Sequence, residues 1–188
     1  MKYVLSVLVL LISFIGCKGK IADDANKSSK NIQLTQAQLQ KTKPISNKQL
    51  KELLSDTIGD FKRVQTSMGY TGLYSVEMTY IDNDKKILFS IVDAAGKEGS
   101  NLMLLMRQSI DSNIDIKNQN GYIKSTTIEG IRTIKEVTKS GNGIVNKLTM
   151  IISGRFLLTI VGTNVDMDEL EEIMEDERLI SKLQNLAQ

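Results

Sequence analysis

The 188-residue chain carries 24 Lys+Arg against 22 Asp+Glu, a single Cys, a single Pro, and neither His nor Trp. Without His it supplies no Ser-His-Asp or Cys-His pair, no histidine metal site and no histidine proton shuttle near neutral pH. One Cys likewise excludes a thiolate zinc site and an internal disulfide, and the length bounds the chain to one ordinary domain plus a tail.

The first element is a short basic start, Met1-Lys2, followed by an almost unbroken apolar run from Val4 to Ile15. That run is shorter than the roughly 20 residues needed to cross a bilayer, so it reads as an export signal. It ends in Ser13-Phe14-Ile15-Gly16-Cys17 and turns abruptly polar at Lys18-Gly19-Lys20. A small residue immediately before a Cys at the end of an apolar segment resembles the lipobox of bacterial lipoproteins. Phe14 and Ile15 are bulkier than that family's usual residues at those places. The resemblance implies a signal peptide over 1–16, cleavage before Cys17, and a diacylglycerol on the Cys17 thiol with further acylation, as by palmitate, of the new N-terminus. Two or three acyl chains give stable attachment where one would be reversible.

Residues 18–43 are rich in Lys, Asn, Gln, Ser and Thr, with isolated apolar residues and no sustained periodicity. They read as a flexible polar tether, with Cys17 as its lipidated first residue, spanning roughly 25 to 30 Å. A single domain follows over 44–188. Ser46 with Gln49, and Ile45 against Leu50, form a capping box and a hydrophobic staple, which predict a helix over about 47–55. The alternation from Tyr74 to Tyr80 predicts a strand, Asp82-Asn83-Asp84 its turn, and Ile87, Phe89 and Ile91 the returning strand. That acidic turn lacks the Gly and the Glu of a calcium loop, and no metal site is expected there.

Ser100 is positioned to cap a helix whose apolar face is Leu102, Leu105, Met106 and Ile110. Four strands follow, at about 121–128, 131–138, 144–152 and 156–162, marked off by Gly130, Gly141-Asn142-Gly143 and Gly154. Gly154 fits the first central place of a two-residue type II′ turn, with Arg155 exposed beside it. The strand from Phe156 is apolar on both faces and belongs in the middle of the sheet, covered by helix on one side. Asp166 with Glu169, and Val165 against Leu170, announce a closing helix. Eight of the twelve residues from Asp166 to Glu177 are acidic, which reads as a solvated face.

The order is a ββαββββα core preceded by a short helix. It predicts an α+β domain with an antiparallel sheet of about six strands and helices packed on one face. Ser46 to Leu54, Gly59, Arg63, Tyr80, Ile91-Val92-Asp93, the Gly154-Arg155 hairpin running to Gly162, and the acidic helix together resemble a scattered group of uncharacterised bacterial envelope proteins. That likeness spans nearly all of 44–186; many members have Pro where this chain has Ser55. In element order the chain is also similar to PsbP-like and Mog1-like sandwiches. The resemblance implies the fold and an envelope location, and attaches no activity.

No catalytic residue, cofactor or metal is expected. Glu77 and Glu129 are strand acids with no spacing that makes them converge, and no phosphate-cradling glycine pattern occurs. Removing Lys2 with the signal takes the net charge from +2 to +1, which together with export argues against nucleic acid. The expectation is a lipoprotein of the bacterial cell envelope, on a periplasmic or surface side. It is held to the membrane through Cys17, with an accessory role toward an envelope protein partner. The alternative is a carrier or sensor of a small apolar ligand between sheet and helices, motivated by Met68, Met78, Met103, Met106, Met150, Met167 and Met174.

Overall fold

The computed structural model describes residues 36–69, 72–140 and 143–187. Helix α1 occupies residues 36–41. It is followed by α2 (Asn47–Lys51), β1 (Thr57–Ile58), β2 (Phe61–Met68), β3 (Tyr74–Asp82) and β4 (Lys85–Asp93). Then come α3 (Lys97–Ile110), β5 (Asp115–Asn118), β6 (Gly121–Ile128), β7 (Ile131–Ser140), β8 (Gly143–Ile152) and β9 (Phe156–Thr163). Helices α4 (Met167–Asp176) and α5 (Leu179–Ala187) close the chain.

The fold is α+β with one antiparallel sheet of nine strands, three more than expected, in the order β1-β2-β3-β4-β9-β8-β7-β6-β5. The additional strands are β1, β2 and β5. β1 and β5 are the two edges of the sheet, and β2 has β1 beside it only at Phe61 and Lys62, so the sequence there need not alternate. In β2 an extra residue, Val64, sits between the pairs Arg63–Tyr80 and Gln65–Thr79. This bulge breaks the period-two pattern that would have revealed the strand. The topology is two meanders, β1 to β4 and β5 to β9, stitched together where β4 pairs with β9. Strand β9 is central, as its apolar run requires.

Helices cover both faces of the sheet rather than one. On one face Val76, Met78, Tyr80, Ile87, Phe89 and Ile91 of β3 and β4 join Phe156, Leu158 and Ile160 of β9 and Leu148, Met150 and Ile152 of β8. Leu50 of α2, Leu170 and Met174 of α4, and Leu179, Ile180 and Leu183 of α5 close over them. On the opposite face Leu157 of β9 packs with Ala94, with Met103 and Ile110 of α3, and with Leu39 of α1. Alternation puts Leu157 on that second face, and a residue so apolar needs its own cover. The ordered unit therefore takes in residues ahead of Pro44 that the sequence reading assigns to the tether.

The local signals are realised with instructive shifts. Ser46 and Gln49 form the capping box, but α2 ends at Lys51 and Leu53 and Leu54 are buried from the turn beyond it. Helix α3 starts earlier than Ser100, at Lys97, because Gly96 caps it with φ 86° and lets the chain reverse out of β4. Ser100 is buried in the first turn and its hydroxyl donates to the Lys97 carbonyl at 2.8 Å. The buried face of α3 runs through Met103 and Ile110, whereas Leu105 points outward, 63% exposed. The acidic helix is broken in two by Arg178 at φ 50°. Its capping box does not close, because Glu169 instead receives Lys85 Nζ at 2.9 Å on both carboxylate oxygens.

The β8–β9 connection also differs from the expected type II′ turn. Ser153 and Gly154 both have positive φ, 51° and 65°, the pattern of type I′. Arg155 N donates to the Ile152 carbonyl at 3.0 Å, closing the turn. Farther along β9, Gly162 lies so close under α4 that a Cβ there would sit 2.9 Å from Val165 Cβ and 3.0 Å from Leu170. Gly154→Val forces a β-branched residue into the left-handed region and should destabilise by about 1 to 3 kcal/mol. The urea midpoint of the variant measures this, and a midpoint equal to wild type refutes the turn geometry.

Candidate functional site

Cys17, the lipidation residue expected from the sequence, lies outside the described residues. Within them, the sequence features singled out above gather into three polar clusters and one open sheet face.

The first cluster is built around Asp93, the last residue of β4, which is 0% exposed. A buried carboxylate persists only if its lone pairs are filled. Here Oδ1 accepts from Ala95 N at 3.0 Å and Arg155 Nε at 2.9 Å, and Oδ2 from Ile45 N at 2.9 Å and an Arg155 terminal nitrogen at 2.8 Å. Arg155, read from the sequence as an exposed turn residue, has a side chain only 11% exposed. Its fork meets the carboxylate through two nitrogens, and the remaining donors reach the carbonyls of Lys43 (3.2 Å) and Leu186 (3.4 Å). The guanidinium also lies over the Phe156 ring at 5.0 Å. From the other face Arg107 of α3 donates to the Gly154 carbonyl at 3.2 Å. The turn is thus gripped from both sides, and the arrangement is a clasp with every acceptor on Asp93 used inside the protein.

The second cluster joins Arg63, Asp56 and Tyr80, whose carriers β2 and β3 are paired at Arg63–Tyr80. The Arg63 side chain is 11% exposed, ion-paired to Asp56, and donates to Met78 Sδ at 3.2 Å. Tyr80 Oη donates to the Ser55 carbonyl at 2.7 Å, and its ring meets Phe89 edge to face. Burial raises the Tyr80 phenol above its ordinary 10.0; the Arg63 charge and hydrogen bond oppose this and Glu177 reinforces it. Beside the cluster opens the largest of three described cavities, about 350 Å³, lined by Lys48, Lys51, Glu52, Asp56 and Arg63 among others. Five of its seven lining residues are charged and Leu54 is the one apolar residue among them, unlike the mostly apolar wall a hydrophobic ligand needs.

In the third cluster Lys85 sits among Glu169, Asp166 and Asp82. Its hydrogen bond to Glu169 raises its pKa above 10.5 against the opposing effect of burial. Asp82 of the acidic turn adds only a weaker attraction to this lysine, whose hydrogen bonds go to Glu169. Three acids of the closing helices are also answered internally, Glu169 by Lys85, Glu171 by Lys135 and Glu177 by Lys182. Asp166, Asp168, Glu172, Glu175 and Asp176 face solvent.

Glu77 and Glu129 are not brought together. Glu77 stands on β3 and Glu129 in the turn between β6 and β7, with β4, β9 and β8 between, on the order of 19 Å at the usual strand spacing. Of the seven methionines invoked for a carrier, Met78, Met103, Met150 and Met174 are buried in the cores, Met106 and Met167 are partly buried against them, and Met68 is exposed.

The open face lies on the α3 side of the sheet. Helices α1 and α3 cover only the end that carries Leu157, Val92, Ile151 and Ile134. Beyond them a cross-strand row runs Thr79, Leu88, Val161, Lys147, Glu136, Ile123 and Ile116 over seven strands, each residue half-buried or exposed. Lys147 and Glu136 pair at 2.9 Å in the middle of this row. Apolar side chains, threonines and a central ion pair on a rigid sheet make a surface suited to contact rather than to chemistry. Its signal in the sequence was the apolar content of both faces of β9, which exceeds what one helix can cover.

Two measurements check these clusters. Arg155→Ala leaves the Asp93 carboxylate buried and uncompensated and should cost about 3 to 5 kcal/mol. Asp93→Ala should cost at least as much, because the Ile45 and Ala95 amides lose their acceptor as well; urea unfolding of either variant near wild type refutes the clasp. Separately, the fold favours the neutral Tyr80 phenol. Its contribution is full below pH 10 and is lost as pH rises through the raised folded-state value. Of the five tyrosines, one should ionise after the others in an ultraviolet titration of the folded protein, and Tyr80→Phe should remove that late step.

No protein-family model, no curated protein and no solved structure matches this chain.

Proposed function

We propose that this chain is a membrane-tethered lipoprotein of the bacterial cell envelope, whose folded unit acts as a non-catalytic interaction module for another envelope protein. The observation that carries the anchoring is the Val4–Ile15 apolar run ending at Gly16-Cys17 and followed at once by Lys18. No helix among the described residues is long and apolar enough to cross a membrane.

The interaction role is supported by the partly covered sheet face and its mixed row from Thr79 to Ile116. The mixture resembles the modest apolarity of non-obligate interfaces more than that of a permanent subunit contact. The carrier reading draws no support from the six methionines packed in or against the cores, or from the mostly charged cavity beside Arg63.

The test of anchoring is Cys17→Ala. Only the thiol accepts the diacylglycerol, so the variant should lose radiolabelled palmitate and leave the membrane fraction, while the folded unit keeps its unfolding midpoint. Equal label on the variant overturns the proposal.

A further inference from the structure

The segment leading into the sheet is held in two unequal stages. Residues 36–42 touch the rest of the unit lightly. Among the described residues of that stretch only Leu39 is buried, 6% exposed, in the socket it shares with Ala94, Met103 and Leu157. Two hydrogen bonds accompany it: Gly96 N to the Leu39 carbonyl at 2.9 Å, and Gln36 Nε2 to Asn101 Oδ1 at 2.8 Å. The other bonds of Thr42 run within α1, to the carbonyls of Gln38 and Leu39.

Immediately afterwards the attachment changes character. The Lys43 carbonyl and the Ile45 amide are bound by the Arg155–Asp93 pair, itself buried and further hydrogen-bonded. Between the two stages stands Pro44, the one proline of the chain, which disfavours helix at Lys43 and stops α1 from running into the clasp. A break in secondary structure therefore coincides with the step from weak to strong attachment. Local opening free energies scale with buried apolar contact and protected hydrogen bonds, so the two stages open independently, the outer one first.

We infer that residues 36–42 form a releasable strap: α1 and Leu39 leave the Ala94–Met103–Leu157 socket as a unit while the clasp holds Lys43 and Ile45 in place. The molecule then has two states, strapped and released. They differ in whether the socket on the α3 face is covered by the chain's own leucine. They also differ in reach, because seven residues span about 10 Å as a helix and at most about 23 Å drawn out straight. The gain in distance from the bilayer rests on the anchoring proposed above; the release does not.

Three backbone amides read the two stages directly. Thr42 N–H reports the strap's helix, Gly96 N–H its docking on α3, and Ile45 N–H the clasp. In residue-level hydrogen exchange on the full-length chain in detergent micelles, Thr42 and Gly96 should exchange at one shared protection level, about 100-fold or more faster than Ile45. Leu39→Ala should speed Thr42 and Gly96 by at least about tenfold and leave Ile45 unchanged. The proposal is overturned if all three amides exchange together, if Leu39→Ala accelerates Ile45 by the same factor, or if it moves none of them. Because none of these readings depends on the lipid, a failure here is distinct from a failure of the Cys17 experiment.

Discussion

A carboxylate with no access to water is tolerated only where four hydrogen bonds and a counter-charge converge on it, and Asp93 meets that condition through segments that are far apart in sequence. Its partners are Ile45 ahead of α2, Ala95 between β4 and α3, and the turn between β8 and β9. None of the three can move without leaving a charge or an amide unsatisfied. Charged groups in such a position contribute little net stability compared with a packed apolar alternative, but they penalise wrong arrangements heavily. The clasp ties the end of β4 to the turn that starts β9.

That pairing matters because β4 and β9 are the seam of the sheet. Each meander is built from neighbouring strands joined by tight turns, whereas the seam runs from Lys86–Thr163 to Asp93–Phe156 and joins residues more than sixty apart in sequence. A slip of one residue would exchange Phe156, Leu158 and Ile160 with Leu157, Thr159 and Val161 and invert the two cores. The clasp sits at one end of the seam and Gly162 near the other, where α4 presses so close that only a residue without Cβ fits. Register is therefore pinned at both ends, by a directional ion pair and by a steric limit.

Much of the second meander was legible in the sequence. The strands at 121–128, 131–138, 144–152 and 156–162 differ from the observed β6 to β9 by no more than two residues at any end, because β-branched runs there are separated by glycines at their turns. The polar strands at or next to the sheet edges were not legible. Asp115–Asn118 is exposed along its whole length, and Phe61–Met68 carries a bulge in mid-strand. The clasp was hidden for a different reason. Nothing local in Ser153-Gly154-Arg155-Phe156 says that the arginine turns inward, since its partner lies 62 residues earlier. The one available hint was an acid closing the apolar run Ile91-Val92-Asp93, a place where a strand buried on one face calls for a counter-charge. The lipobox-like pattern ending at Cys17 is a reading of the sequence alone, and Cys17 lies outside the described residues.

The guanidinium of Arg155 donates to the carbonyls of both Lys43 and Leu186. A single side chain therefore spans the gap between the place where the polypeptide joins the sheet and the place where its final helix ends. Topologically the polypeptide from 43 to 186 is almost a ring, shut by one arginine. A covalent bridge of a few residues could replace that closure, and new termini opened at an exposed hairpin such as Glu129-Gly130 would leave every strand pairing of the sheet intact.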